Sequence, residues 1–183
     1  MSTYGGPELA AAFRTVRKNT LQIAEDIPES SYGFTAAPET RPVARMLMHV
    51  GVAPRVWRDI HGTRRLTKME GYDFMGMRAK LEAEEAKPRS KAEILEFLRR
   101  EGEEFAVWLE GLTPEFLAER VTHGEVSRSR LEGLMAVKEH EMHHRAQLML
   151  MERMLGIVPH LTRQREEMIR QMEQQKAAQA AGA

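Results

Sequence analysis

The sequence contains no cysteine and no stretch of 18 consecutive apolar residues. The first absence excludes disulfides, thiolate metal ligands and a cysteine nucleophile, and the second gives no sign of a transmembrane helix. Acidic and basic residues both number 27, so the formal net charge is zero and does not favour nucleic acid or an anionic membrane. The opening residues lack the basic region and apolar segment of a signal peptide. We therefore expect a cytoplasmic protein that binds neither nucleic acid nor membrane.

Aromatic side chains are scarce as well, at 6% of the residues, whereas there are 13 methionines. This balance predicts a core that is mostly aliphatic and adaptable in its packing. The chain of 183 residues, 42% apolar and 30% charged, has the composition of an ordinary globular protein with one sizeable core. We expect a single domain over residues 1–183, with a helical core at about 7–155.

The spacing of apolar residues is that of α-helices nearly throughout, and no strand pattern is present. Proline, glycine and capping residues predict where the helices begin and end. The main helices are expected from Pro7 to just before Pro28, from Thr40 with a kink at Pro54, from the capping box at Ser90 to about Leu112, and from the capping box at Ser129 to Gly156. A polar C-terminal helix is expected at about 161–176, with a frayed tail after Lys176.

A long, highly charged connection at about 62–89 separates the second and third main helices and includes a short helix around Phe74, Met77 and Leu81. Short links place neighbouring helices antiparallel, whereas a long crossover lets two successive helices run parallel. The sequence therefore predicts an all-α fold, a four-helix bundle of up-down-down-up order with an extra C-terminal helix.

Three of the seven histidines fall within five residues of the last main helix, in the segment Lys138–Gln147. Because each residue turns an α-helix by about 100°, His140 and His144 lie on one face, about 40° apart. They interrupt a stripe of apolar residues, where two buried imidazoles without partners would be costly. One metal ion would satisfy both rings, and hydrogen bonds from other helices are the simpler alternative.

A third ligand would complete a zinc-type site with one open position. His49 lies inside the second helix, at the edge of its apolar stripe, and is the best candidate on geometry. His61, His123 and His160 stand beside glycine or proline and are expected at the surface. His143 is expected to face solvent or a neighbouring helix.

The segment His140–His144 also matches the H-E-x-x-H pattern of zinc metallopeptidases, in which the glutamate is the general base. No motif for a third metal ligand follows it in the sequence, although Glu166 and Glu167 remain conceivable ligands. A peptidase also needs a strand edge to hold an extended substrate, and this sequence offers no strand. A peptidase is therefore the less favoured hypothesis. In the bundle, Glu141 points about 100° away from the ligand direction and is expected to matter little.

The same helix has a second apolar face, opposite the histidines, formed by Leu131, Met135, Met142 and Met149. A helix that is apolar on two sides is normally covered on both. The C-terminal helix or a second copy of the chain would cover this face, so a homodimer is one expectation.

Three motifs of the sequence resemble those of the DinB/YfiT-like superfamily. They are His140-x3-His144-Arg145-x-Gln147, the segment Pro42–Val50 around His49, and Tyr32-Gly33-Phe34-x3-Pro38 before it. The resemblance covers residues 9–155 or so and implies a bundle, often homodimeric, in which His49, His140 and His144 bind one divalent metal ion, nickel or zinc. Ala146 in place of the usual glycine and Pro54 inside the second helix depart from the family pattern.

The resemblance further implies a metal-dependent enzyme that acts on a small-molecule substrate. It would be a transferase or isomerase that uses a low-molecular-weight thiol such as bacillithiol or mycothiol, or a hydrolase. A non-catalytic metal-binding or structural dimer is the alternative, and the sequence assigns no catalytic residue. Gln147 lies near the histidines and is expected to orient a ligand by hydrogen bonding. Tyr32 is expected near the mouth of the bundle, where it contacts substrate or is simply packed.

Overall fold

The computed structural model describes residues 4–181, which are helical over most of their length. The helices are α1 (Gly6–Asp26), α2 (Val43–Val52), α3 (Pro54–Trp57), α4 (Phe74–Glu85), α5 (Lys91–Glu110), α6 (Pro114–Ala118), α7 (Arg130–Met154) and α8 (His160–Ala181). Two short strands, β1 (Arg120–His123) and β2 (Val126–Ser129), precede α7. A 3₁₀ turn at Glu29–Ser31 and a π-helical segment at Arg58–Thr63 lie in the connections.

The predicted starts of α5 and α7 and the predicted end of α7 are confirmed. At α5 the Ser90 hydroxyl accepts from the backbone N–H of Glu93, and the Glu93 carboxylate accepts from that of Ser90. Ser129 and Glu132 repeat this arrangement at α7. Gly156 follows α7 with a φ of 78°, a left-handed conformation that glycine adopts at little steric cost.

The second helix is shorter than predicted and is interrupted. It begins at Val43 rather than at Thr40, because the Thr40 hydroxyl is bonded to the Ala37 carbonyl in the preceding loop instead of capping the helix. Helix α2 ends at Val52, and Pro54 opens the single-turn helix α3, which continues into the π-helical segment. The helix is thus interrupted where the sequence predicts a kink, since Pro54 lacks the backbone donor that would continue it.

Two clusters of buried side chains fix the directions of the four bundle helices, α1, α2, α5 and α7. The first joins the C-terminal ends of α1 and α7 to α2 and the start of α5, through Ile23, Leu148, Met46 and Leu98. The second joins the N-terminal ends of α1 and α7 to the end of α5 and to α3, through Phe13, Leu134, Phe105 and Trp57. Helices α1 and α7 therefore run one way and α2 and α5 the other. The predicted up-down-down-up order is confirmed.

The sequence does not predict the β-hairpin between α6 and α7. Strands β1 and β2 pair antiparallel around Gly124, whose φ is 58°. A third extended segment joins them, because Met69 N–H donates to the Thr122 carbonyl and Thr122 N–H to the Thr67 carbonyl, both at 2.9 Å. The strands are four residues long and largely exposed, so no alternation of apolar residues marks them in the sequence.

The C-terminal helix α8 is longer than predicted. It runs from His160 to Ala181, so the tail after Lys176 that was expected to be frayed is helical. Residues 163–180 are exposed, and α8 is tied to the bundle near its start, where Arg163 pairs with Asp26 of α1 at 2.6 Å. Among residues 4–181, no helix combines the length and the apolar character that a bilayer span requires.

One buried arginine in α1 contacts the other three helices of the bundle, α2, α5 and α7. Arg17 is 4% exposed, and its Nε and Nη2 donate to the two carboxylate oxygens of Glu141 in α7 at 2.9 and 3.0 Å. Its Nη1 donates to the Leu98 carbonyl in α5 at 2.8 Å, and Nη2 to the Val50 carbonyl in α2 at 3.3 Å. Gly102 leaves room for this side chain, because a Cβ there would stand 2.9 Å from Arg17 Cγ. Glu141 is 2% exposed and therefore has a structural role that its position away from the ligand direction did not indicate.

We expect Glu141→Gln to lower the free energy of unfolding by about 3–5 kcal/mol, because it leaves the buried guanidinium of Arg17 without its counter-charge. Replacing both partners, Arg17→Met with Glu141→Leu, should recover most of this loss, since the pair also carries a desolvation cost. Urea denaturation measures both effects. The matched control is Glu103→Gln, which removes an exposed ion pair with Arg14 of α1 and should cost less than about 1 kcal/mol. Equal losses for the two glutamates would contradict this assignment.

Candidate metal centre

Three histidines from two helices meet at one point of the bundle. Nε2 of His140 lies 3.0 Å from Nε2 of His49 in α2 and 3.2 Å from Nε2 of His144, one turn further along α7. One ring nitrogen of each histidine lies within 4.8 Å of the others, and all three residues are partly buried. The structure thus brings together the three residues that were predicted as ligands.

Hydrogen bonds occupy the other ring nitrogen of two of these histidines. Nδ1 of His49 lies 2.6 Å from Oε1 of Glu85, and Nδ1 of His144 lies 2.8 Å from Oε1 of Gln147. A carboxylate and an amide oxygen can only accept, so each Nδ1 carries the proton. In the neutral rings both Nε2 atoms therefore present lone pairs toward Nε2 of His140, which has at most one proton to share between them.

This donor set fits a divalent cation. Nitrogen ligands bound to one ion at about 2.0–2.1 Å stand roughly 3 Å apart. The Nε2 separations of 3.0 and 3.2 Å match this spacing. Three nitrogens that would otherwise compete for one proton can all bind one ion, and a set of three protein ligands leaves a coordination position open.

The surroundings favour the neutral rings of His140 and His144. Burial lowers the pKa of His140 to about 4, and the neighbouring His144 and His49 add to the effect. Burial also lowers the pKa of His144, although its hydrogen bond to Gln147 opposes the shift. Because a metal ligand must be the deprotonated ring, the cluster is suited to bind an ion at neutral pH.

A buried carboxylate from the crossover helix α4 supports His49. Glu85 is 4% exposed and accepts from Nε of Arg41 at 3.2 Å as well as from His49. Burial alone would raise the pKa of Glu85, but the hydrogen bonds from His49 and Arg41 and the charge of Arg41 outweigh it and hold the pKa below its ordinary value. Such a carboxylate fixes the tautomer of a ligand histidine and raises its basicity. Sequence reasoning missed Glu85, because it is one of several acidic residues in a charged segment without a distinguishing pattern.

A cavity of about 460 Å³, here called the histidine cavity, lies beside the cluster between α2, α3, α4 and α7. His49 and His140 line it on one side. Its other walls are mainly apolar and include Val52, Val56, Trp57, Phe74, Met77 and Leu81. A space of this size and character suits a small molecule.

The peptidase hypothesis does not fit this geometry. Both carboxylate oxygens of Glu141 are held by Arg17 inside the bundle, so this residue cannot act as a general base at the histidines. The third histidine of the cluster comes from α2, whereas Glu166 and Glu167 are exposed on α8. The match to the peptidase pattern is therefore formal.

Tyr32 and Gln147 were both predicted to act near the clustered histidines, and the structure places only Gln147 beside them. Gln147 is bonded to Nδ1 of His144, the position expected of a residue that orients a ligand. Tyr32 is 6% exposed, and its hydroxyl donates to the Ala24 carbonyl at 2.7 Å. Of the two roles expected for Tyr32, the structure shows the packed one, because the loop after α1 folds its side chain into the core.

The remaining histidines divide into two exposed and two buried residues. His123 and His143 are exposed, as predicted. His61 and His160 are each 3% exposed, so their prediction as surface residues is wrong. His160 opens α8 against α1, where its Nε2 lies 3.3 Å from Oδ1 of Asn19. In a sequence, a neighbouring glycine or proline is the sign of an exposed turn, but the segments that contain His61 and His160 pack against the bundle.

Four helices in up-down-down-up order with a cluster of three histidines place the protein in the class of DinB-like bundles. The family model of the DinB superfamily matches residues 12–148, and the chain belongs to this superfamily. No curated protein matches the sequence.

Several solved structures share the fold. YfiT from Bacillus subtilis, described as a probable metal-dependent hydrolase with an unusual four-helix bundle topology, is 17% identical with a TM-score of 0.66, covering 86% of this chain and 91% of that one. The DinB-like protein YjoA of Bacillus subtilis is 17% identical with a TM-score of 0.61, covering 81% and 92%. A mycothiol-dependent maleylpyruvate isomerase is 14% identical with a TM-score of 0.63, covering 81% of this chain and 63% of that one. At these identities the likeness establishes the fold.

We expect untagged protein to bind nickel or zinc tightly, and His49→Ala, His140→Ala or His144→Ala to abolish this binding, because each removes one nitrogen donor. Glu85→Gln should weaken the affinity about 10- to 100-fold through loss of the carboxylate behind His49. Competition with a chromophoric chelator measures the affinities. Glu82→Gln is the matched control, since Glu82 lines the same cavity from α4 but pairs with an arginine of its own helix. The assignment fails if wild type takes up neither ion, or if the two glutamine variants behave alike.

Proposed function

We propose that this protein is a metal-dependent enzyme that acts on small molecules, with His49, His140 and His144 as ligands of a nickel or zinc ion. The observation that carries the proposal is the convergence of three Nε2 atoms beside a cavity of about 460 Å³. Glu85 and Gln147 already aim two ring lone pairs at one point, so binding requires little rearrangement.

When bound, such an ion acts as a Lewis acid and lowers the pKa of a water or thiol beside it. His49 and His140 form the wall of the cavity where a reacting group would lie. Glu85 holds the ring of His49 in a single tautomer throughout. The apolar walls, which include Trp57 and Leu81, bind the carbon skeleton of a substrate and exclude bulk water.

A transferase or isomerase that uses a low-molecular-weight thiol is the first candidate. The carboxylates that line the cavity, Glu82 and Glu85, are bonded to Arg78 and His49. Neither is free to deprotonate a water, which favours a nucleophile that ionises readily, such as the thiol of bacillithiol or mycothiol. This chain has no cysteine, so the thiol would be a cosubstrate. The fold shared with a mycothiol-dependent isomerase supports this candidate.

A hydrolase is the second candidate, and the likeness to YfiT supports it. The same three nitrogens leave a position at which water could be activated. A non-catalytic metal-binding or structural bundle would be favoured by a fourth protein ligand. Among residues 4–181, the potential ligand groups that cluster here are the three histidines.

We expect nickel- or zinc-loaded protein to accelerate the conjugation of bacillithiol or mycothiol to 1-chloro-2,4-dinitrobenzene, followed by absorbance. His140→Ala should return the rate to the uncatalysed value, because the cluster loses its central donor. Glu139→Ala is the matched control, an exposed residue that precedes His140 in the same helix and should keep the wild-type rate. If the protein instead hydrolyses esters in a metal-dependent reaction that needs no thiol, the hydrolase is the correct assignment. Absence of both activities would leave the non-catalytic bundle.

We also propose that the protein is a cytoplasmic homodimer. Of the second apolar face of α7, Leu131 and Met135 pack against the protein's own core, and Met142 is 41% exposed. Further exposed apolar side chains lie along α7 and α8, namely Leu150, Met154, Met168, Ile169 and Met172. A second copy of the chain would remove these side chains from water.

Sedimentation equilibrium should find wild-type dimers at micromolar concentration. Ile169→Glu should give monomers, because the interface would bury an unpaired charge. Gln174→Glu adds the same charge to α8 on the side opposite these apolar side chains and should remain dimeric. A monomeric wild type, or equal dissociation of the two variants, would contradict the proposal.

A further inference from the structure

A second cavity lies where the β-hairpin meets the bundle. It measures about 310 Å³ and is bounded by α3, the π-helical segment, both strands and the start of α7; we call it the hairpin cavity. Trp57, Met69, Phe74, Val121 and Gly133 contribute to its mainly apolar wall. The three clustered histidines do not line it, but it shares Trp57 and Phe74 with the histidine cavity.

His61 is a buried polar residue in this wall. It is 3% exposed, and its ring stacks parallel to that of Trp57, with centroids 5.9 Å apart and planes inclined by 4°. Its Nδ1 lies 3.1 Å from Nη1 of Arg130. A guanidinium can only donate, so Nδ1 accepts and the proton of the neutral ring is on Nε2.

Arg130 also keeps the ring neutral. It is fully buried and is held by the Glu119 carboxylate at 2.9 Å and the Arg65 carbonyl at 3.3 Å. Burial, and then the charge of Arg130, lowers the pKa of His61 to about 4. At neutral pH His61 therefore presents one N–H donor, at Nε2, in a fixed orientation.

This donor has no hydrogen-bond partner. Nε2 of His61 is buried, and no acceptor within residues 4–181 bonds to it. It faces Gly133 of α7, where a Cβ would stand 3.3 Å from Nε2. Buried donors in folded proteins are nearly always paired, so an unpaired one at the wall of a cavity points to a partner that arrives from outside.

We propose that the hairpin cavity binds an uncharged, largely aromatic or aliphatic molecule whose carbonyl oxygen accepts a hydrogen bond from Nε2 of His61. The apolar walls bind the carbon skeleton, and the single donor orients it. An apolar cavity of about 150 Å³ takes up benzene, so one of about 310 Å³ has room for a substituted ring. Because His61 is neutral and Arg130 is already paired with Glu119, no buried group beside the cavity offers net charge to a carboxylate. Arg128 also lines the cavity, but it is an exposed residue of β2 whose charge stays in contact with solvent, so it does little to favour a buried anion.

This site goes beyond the function proposed above and does not depend on a metal ion. The contacts that orient His61 come from Trp57 and Arg130, and neither residue belongs to the histidine cluster. Binding is therefore expected in protein with or without an ion. The test can fail while the metal site stands, and the reverse is also true.

The probe is acetophenone, and its control is α-methylstyrene, which has the same shape with a methylene group in place of the carbonyl oxygen. Binding is followed by NMR at the indole N–H of Trp57, and Trp108, which does not line the cavity, is the internal reference. Acetophenone should shift the Trp57 signal saturably in wild type. His61→Phe keeps a ring on Trp57 but removes the donor. The preference for acetophenone over α-methylstyrene should then fall about three- to tenfold.

Gly133→Ala places a methyl group over Nε2 and leaves the bond to Arg130 intact, so it should weaken both probes even if His61→Phe does not fold. Gly33→Ala, where a Cβ meets nothing within 4 Å, should weaken neither. An unchanged preference in folded His61→Phe, or the absence of saturable shifts at Trp57, would overturn the proposal. Tighter binding of benzoate than of acetophenone would also overturn it, since the ligand would then be an anion.

Discussion

The guanidinium of Arg17 joins the four bundle helices, α1, α2, α5 and α7. It bonds the carboxylate of Glu141 in α7 and backbone carbonyls of α2 and α5 from its own position in α1. Because Glu141 follows His140 directly, drawing Glu141 to the centre of the bundle fixes the rotation of α7. A turn of about 100° per residue then places His140 to one side and His144 one turn along the same side. That side faces α2, where His49 lies, so the position of the histidine cluster follows from the central ion pair.

The chemistry of a buried histidine in this protein is set by the partner of its Nδ1. Glu85 accepts from Nδ1 of His49, which leaves a lone pair on Nε2 and suits the ring to bind a metal ion. Arg130 donates to Nδ1 of His61, which leaves the proton on Nε2 and makes that ring a donor. The same side chain therefore has opposite roles at two sites. In both cases the deciding residue is a buried charge from another part of the chain.

The sequence predicts well those features of a helix that depend on residues close together in the chain. The i, i+4 spacing of His140 and His144, the capping boxes and the effect of Pro54 depend on neighbours in sequence, and the structure has all of them. The centre of the buried stripe on α7 was misplaced, however. Its buried residues are centred near Glu141, and the histidines lie at the edge. Apolar periodicity assumes that a charged residue faces water, and it fails where a buried arginine from another helix compensates the charge.

The features that could not be predicted all depend on contacts between distant segments, and most involve the crossover between α2 and α5. Glu85 comes from α4, the π-helical segment supplies His61, and Met69 joins the hairpin. These contacts carry no local signal, because each is defined by where two remote segments meet. They also suggest a division of roles. The bundle, locked by Arg17, holds the three histidines in place, whereas the crossover contributes walls to both cavities and the hairpin contributes to one of them. Changes in those walls would alter which molecule fits while the three histidines stay in position, so under the proposed function the choice of substrate would rest mainly with the crossover.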